Sequence, residues 1–249
     1  MASNILWIWI FETIYHMIMT LFTIHPVTGT CYYFMKKQLI PTGRSRSSRK
    51  PFGLKILAVS DFIDKSLTRL VETRTLEPVD LILSCGDLDP EYLSFLRDRL
   101  DRPLFYVKGN HDIRYTPANP VGCENIHHRI VTCNQFTILG LEGSMWYNGG
   151  ANQYTEAMMK KQIFSLWLSL WRKKPIHMII THAPPRHVHD REDLCHRGFD
   201  CFNTLIRKYR PGYFIHGHIH REFDTHSDRI THVNHTQVIN TCGFTLIEV

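Results

Sequence analysis

"LKILAVSDFIDKSLTRLVETRTLEPVDLILSCGDLDP", residues Leu54–Pro90, contains two apolar runs, and each stops at an acid. "KILAVSD" runs unbroken to Asp61, the pattern of a strand covered on both faces. "KSLTRLVETRTL" follows, with Leu67, Leu70, Val71 and Leu76 roughly on one side of a helix. "DLILSCGD" then repeats the strand pattern and stops at Asp87. A helix opening at Pro90 ("PEYLSFLRDRL") and the strand "PLFYVKGN" complete a βαβαβ unit. That order predicts a parallel sheet with right-handed crossovers.

Downstream, "HRIVT" and "FTILGLEG" read as strands joined by the turn-like "CNQ". "YTEAMMKKQIFSLWLSLWR" reads as one long helix, with Met158, Met159, Trp167 and Trp171 expected on its core face. "PIHMIITHAP" and "GYFIHGHIH" are strands on either side of the helix "GFDCFNTLIRKY", and the tail "THVNHTQVINTCGFTLIEV" alternates as antiparallel strands do.

Upstream, the character changes. "ILWIWIFETIYHMIMTLFTI" (residues 5–24) carries one formal charge over about the length a helix needs to cross a bilayer. No basic region precedes it, so a cleaved signal peptide fits poorly. The basic "RSRSSRKP" (44–51) then reads as a linker, and the excess of Lys and Arg predicts that it lies on the cytoplasmic side. The expected organisation is an apolar N-terminal helix plus linker over 1–50, possible membrane contact through 5–24, and a cytoplasmic domain over 51–249. Net charge supports that division. Residues 1–50 hold six Lys/Arg against Glu12, whereas the rest is close to balanced, which argues against nucleic acid as a partner. Seven cysteines without a CxxC pair argue against a disulfide framework. The oligomeric state is not legible.

Polar residues cluster where the strands end: Asp61, Asp87, the run Asn110-His111-Asp112, His182, His218 and His220. An acid after a strand is usually a helix cap and a lone histidine usually a core residue. A whole series ending successive strands points instead to one ligand site, since sheets of this kind bind at the carboxyl ends of their strands. Carboxylate, amide oxygen and imidazole together suit Mn, Fe or Zn better than Mg or Ca.

In order, "SDFID", "GDLDP", "GNHD", "THAPP" and "HGHIH" resemble the motif series of the calcineurin-like metallophosphoesterase superfamily: D-x-H, GD, GNH[DE], H and GHxH. The resemblance implies a four-layer α-β-β-α sandwich, two mixed sheets flanked by helices, with two divalent metal ions between the sheets. By position, Asp87 would bridge both ions. Asp61 and His220 would hold the first, and Asn110, His182 and His218 the second. His111 would face the leaving-group oxygen with Asp112 orienting it, and Asn110, Arg186 and Arg197 would stand near a small phosphorylated substrate. The implied activity is hydrolysis of a phosphomonoester or phosphodiester by a metal-bound hydroxide, because paired cations acidify a shared water and withdraw charge from phosphoryl oxygens.

Position 63 breaks the pattern. The family's first motif wants a metal-binding histidine where Ile63 stands, and isoleucine cannot ligate. The purple-acid-phosphatase branch substitutes a tyrosine three residues after the GD aspartate, but here that position is Pro90. Asp64 is the nearest oxygen able to replace the histidine, with Asp89 next; as a ligand Asp64 would harden the first site toward Mn. The alternative for Asp64 is the N-cap of the next helix. For Arg186 and Arg197 the alternative is salt bridging with Asp190, Glu192 and Asp193 within their own loop. For the whole chain the alternative is a catalytically weak or inactive scaffold that binds a protein.

Overall fold

Strand β1 (Lys55–Ser60) pairs in parallel with β2 (Leu81–Ser84), and β2 with β3 (Leu104–Tyr106). Helices α1 (Lys65–Glu72) and α2 (Pro90–Leu100) connect them, as the βαβαβ reading requires. The computed structural model describes residues 53–115, 118–173 and 175–249, all within one unit, Lys50–Val249. The apolar run at 5–24 and the basic linker lie outside the described residues.

The first sheet has the order β13-β1-β2-β3-β4, with β4 (Glu124–Asn125) at one edge and β13 (Gly243–Glu248) antiparallel to β1 at the other. The second has the order β11-β12-β10-β9-β6-β5. Its inner strands β6 (Phe136–Leu141), β9 (Met178–Thr181), β10 (Tyr213–His216) and β12 (Thr236–Asn240) are parallel. Its edges β5 (Arg129–Cys133) and β11 (Ile230–Val233) run antiparallel to their neighbours. A short ribbon, β7 (Ser144–Met145) with β8 (Gln153–Tyr154), precedes α3 (Glu156–Ser165) and α4 (Trp167–Arg172), and α5 (Asp200–Tyr209) joins β9 to β10.

Side-chain alternation along the strands sorts the core into three layers. Ile56 and Ala58 of β1 join Leu81, Leu83, Met178, Ile180, Ile215 and Ile239 between the two sheets. Leu57 and Val59 turn the other way, against Leu67, Val71, Leu93 and Leu96 of α1 and α2. On the far side, Leu139, Ile179 and Phe214 pack against Met159, Leu170, Phe202 and Leu205 of α3, α4 and α5. Three apolar layers separate four layers of elements, the α-β-β-α sandwich expected.

The tail divides between the two sheets, β11 and β12 closing the second and β13 the first, a choice that alternation alone does not encode. The long helix expected over 154–172 is interrupted at Leu166, which ends α3 and begins α4. Met159 is buried, but Trp167 and Trp171 are 56% and 67% exposed, and Met158 is exposed too. Leu166 and Leu170 take the inward positions. Among the described residues no helix is long and apolar enough to cross a membrane, and no disulfide joins the described cysteines.

Candidate metal centre

The strand ends deliver their polar residues to one place through strained backbone. Asp61, Asp87 and His218 all adopt left-handed conformations, with φ of 71°, 58° and 69°. Non-glycine residues enter that region at a cost of ~1–3 kcal/mol each, and such strain gathers at sites that use it. Gly109 is needed because a Cβ there would overlap the Asp87 carboxylate.

Asp87, His182 and His218 each place a ligand atom within 4.8 Å of the others. The Nδ1 of His182 lies 2.8 Å from the carbonyl of Cys85. A carbonyl only accepts, so Nδ1 carries the proton and Nε2 is left facing the cluster. That Nε2 is 3.1 Å from Asn110 Oδ1 and 3.2 Å from Asp87 Oδ2. His218 is oriented in the same way, its Nε2–H donating to the Cys195 carbonyl at 2.7 Å and leaving Nδ1 as the free ligand atom. Asn110 in turn donates from Nδ2 to the Tyr147 hydroxyl at 3.2 Å, which fixes its oxygen toward His182.

Acceptor thus meets acceptor among buried side chains, and something positive has to lie between them. A proton on His182 Nε2 can do so. Burial opposes that charge, but the adjacent Asp87 carboxylate, joined by Asp61 and the Cys85 carbonyl, pushes the His182 pKa up to about 9. Burial likewise works to raise Asp87, and the His182 charge and hydrogen bond overcome it and hold the carboxyl well below its usual range. His218 is pulled down to about 3, first by burial and then by the charge of His182. A divalent cation fits the same place: two imidazole nitrogens aimed by backbone carbonyls, one carboxylate and one amide oxygen.

Asp61 is arranged differently. Its side chain is fully buried, with Oδ1 accepting from the His218 amide at 2.7 Å and Oδ2 from the Ser60 hydroxyl at 2.6 Å. His220 Nε2 lies 3.8 Å from Oδ1 on a ring 65% exposed. Burial pushes the Asp61 carboxyl pKa upward, against the pull of His182. Asp61, Ile63, Asp87, His111 and Asp112 line one cavity of about 350 Å³ that is open to solvent.

Asp64 is the N-cap of α1: its Oδ1 accepts from the amides of Ser66 (2.7 Å) and Leu67 (3.1 Å) and from the Ser66 hydroxyl. The structure therefore places Asp64 in the capping role through Oδ1, and the preference for Mn at the first site, which rested on Asp64 as a ligand, stays an expectation. Asp89 pairs with Arg114 at 2.8 Å. Asp112, expected to orient His111, instead accepts from the amides of Gly109 (2.7 Å) and Asp87 (2.8 Å), tying the GNHD turn to the GD turn. Burial, then the Asp87 charge, pushes its pKa up to about 7. The His111 amide donates to Asp87 Oδ1 at 2.9 Å. Arg186 is held by Asp190 (2.6 Å) and Glu192 (2.7 Å), and Arg197 donates to the Glu192 carbonyl at 3.2 Å. Both arginines thus bond within their own loop.

Several contributors escaped the sequence reading. Ser60 and Tyr147 hold ligand residues, and Cys85 and Cys195 act through main-chain carbonyls that carry no sequence signal. His216 and His189 join ring to ring at 2.9 Å, fastening the loop after β9 to the end of β10.

The family profile of calcineurin-like phosphoesterases matches residues 54–222. The chain belongs to that family. A solved structure agrees at the level of the fold. TT1561 of Thermus thermophilus is 15% identical, with a TM-score of 0.52, 80% of this chain and 99% of that one being covered. Vacuolar protein sorting 29 from Cryptosporidium parvum is 14% identical with a TM-score of 0.42, covering 80% of this chain and 86% of that one. The sulfate thiohydrolase SoxB of Thermus thermophilus is 10% identical with a TM-score of 0.41, covering 79% and 53%. No curated protein matches the sequence.

Proposed function

We propose that the protein is a metal-dependent phosphoesterase that hydrolyses a small phosphomonoester or phosphodiester. The carrying observation is the convergence of Asp87, Asn110 Oδ1, His182 Nε2 and His218 around one point, with both rings aimed by backbone carbonyls. These four residues would hold one cation. Asp61, Asp87 and His220 are the residues available to a second. Bound cations supply charge withdrawal from the phosphoryl oxygens and a water acidic enough to act near neutral pH.

The chain's own groups do the rest. Asp112 holds the turns bearing Asp87 and Asn110 at a fixed separation. His111 lines the open cavity and donates a proton to the leaving oxygen. Arg186 and Arg197, engaged within their loop, take no part in this reading.

The scaffold reading has its own support in Ile63, which is 41% exposed and cannot ligate, beside an Asp64 occupied as a cap. One experiment separates the two. Metal content and turnover of generic chromogenic mono- and diesters should be measured for the wild type, Asp87→Asn and His111→Ala. An enzyme loses metal and activity with Asp87→Asn, and activity alone with His111→Ala. Full turnover in both variants, or no turnover by a metal-loaded wild type, removes the phosphoesterase reading.

A further inference from the structure

Eleven large apolar side chains are exposed among the described residues, and five of them fall between Met158 and Trp171. Phe164 is 73% exposed, Trp167 56% and Trp171 67%. Trp167 and Trp171, four residues apart, share one side of α4, and Phe164 stands in the last turn of α3 just before the break at Leu166. Phe164 and Trp167 border a groove of about 460 Å³ against α5, together with Lys160 and Lys208. From residue 157 to 173 the chain has no acid; Lys161 and Arg172 flank the aromatics, while Lys160 pairs with Glu156 at 3.4 Å and Lys173 donates to the Ile130 carbonyl at 2.9 Å. Lys161 and Arg172 are exposed.

We infer that this face docks on an anionic lipid surface. The composition decides between occupants. Protein interfaces are enriched in Trp and Arg but depleted in Lys, whereas helices that lie in the headgroup region combine Trp, Phe and Leu with a Lys/Arg-rich border. Indole rings also settle at the level of the headgroups, where one edge is apolar and the other wet. Basic side chains around them meet the negative potential of the lipid, which gives the face charge complementarity with an anionic leaflet. The inference uses none of the metal residues and stands whether or not the phosphoesterase reading does.

The test uses the full chain carrying Trp7→Phe, Trp9→Phe and Trp146→Phe, so that the remaining tryptophans report on this face alone. Vesicles are made from phosphatidylcholine, with or without phosphatidylserine, and contain brominated acyl chains. With the anionic vesicles, the emission should shift to the blue and be quenched. Quenching should weaken with phosphatidylcholine alone. It should also fall as salt rises from about 0.1 M to about 1 M, where the screening length shrinks from ~10 to ~3 Å. Adding Lys160→Glu, Lys161→Glu and Arg172→Glu should reduce quenching on anionic vesicles to the phosphatidylcholine level. Reading quenching at these two indoles, and not total binding, keeps any anchoring by residues 5–24 out of the result. Unchanged emission with both vesicles, or equal quenching by both, overturns the inference. So does a blue shift that grows with protein concentration in the absence of lipid, which would assign the face to a second copy of the chain.

Discussion

Substituting Asp64 tests whether the neighbour of the missing histidine is a cap or a ligand. Its Oδ1 accepts three hydrogen bonds at the first turn of α1, two from amides that have no partner within the helix. Asp64→Ala removes that acceptor. The Ser66 amide is exposed enough for water to replace the lost bond, so the cost should be that of an ordinary cap, ~1 kcal/mol. For a domain of this size that corresponds to a fall in Tm of about 2–4 °C. Asn caps about as well as Asp, so Asp64→Asn should leave Tm almost unchanged. Metal content, read by elemental analysis against thermal melts of the same samples, should match the wild type in both variants. If Asp64→Asn melts normally but loses metal, Asp64 is a ligand and its capping bonds are incidental.

Two further outcomes follow from the same geometry. Gly109→Ala should disorganise the centre, because the new methyl would meet the Asp87 carboxylate and approach His182 Cε1 at 2.6 Å; a loss of ~1–3 kcal/mol together with reduced metal content is expected, checked by denaturation and elemental analysis. In chelator-treated protein, His182 has a folded pKa raised from 6.5 to about 9, so its stabilising contribution is complete below about 6.5 and is lost as pH rises toward 9. Melts of the metal-free protein should therefore show a decline across that window which His182→Ala lacks.

The fold was legible where apolar runs are buried on both faces, as in "KILAVS" and "LILS", because such runs can form little but central strands. The break at Leu166 was not, since both halves of the 154–172 segment keep a helical pattern and only packing against α5 sets which residues face inward. Hence Trp167 and Trp171, expected in the core, are found outside. The meeting of Asp87, His182 and His218 was legible because each sits at a strand end within a recognisable motif. What aims them was not: the Cys85 and Cys195 carbonyls are main-chain atoms, and any residue at those positions would offer them. Asp112 shows a related difficulty. Its place beside His111 suggested a partnership with the ring, but the fold brings the Gly109 and Asp87 amides to its carboxylate first.

Ile63 joins these lines, because it decides how complete the centre can be. With Asp64 engaged at α1 and Asp89 paired with Arg114, the proposed second cation would have Asp61, Asp87 and His220 and no visible replacement for a fourth protein ligand among the described residues. Ile63 itself is 41% exposed and lines the same cavity as Asp61, Asp87 and His111, so position 63 already faces the place where a ligand is missing. Ile63→His should therefore install an imidazole there without burying a polar group, and its effect on stability should be small. Affinity for the second cation should rise roughly tenfold or more, the scale on which even residues one step removed from a metal act. Titration calorimetry with Zn or Mn, following complete chelation, would read this as a tighter second binding step, while the step assigned to His182 and His218 stays unchanged. If the second step is unchanged, the new ring does not reach the cation beside Asp61; if wild type and variant both show a single step, the two-cation centre has to be given up for a single one.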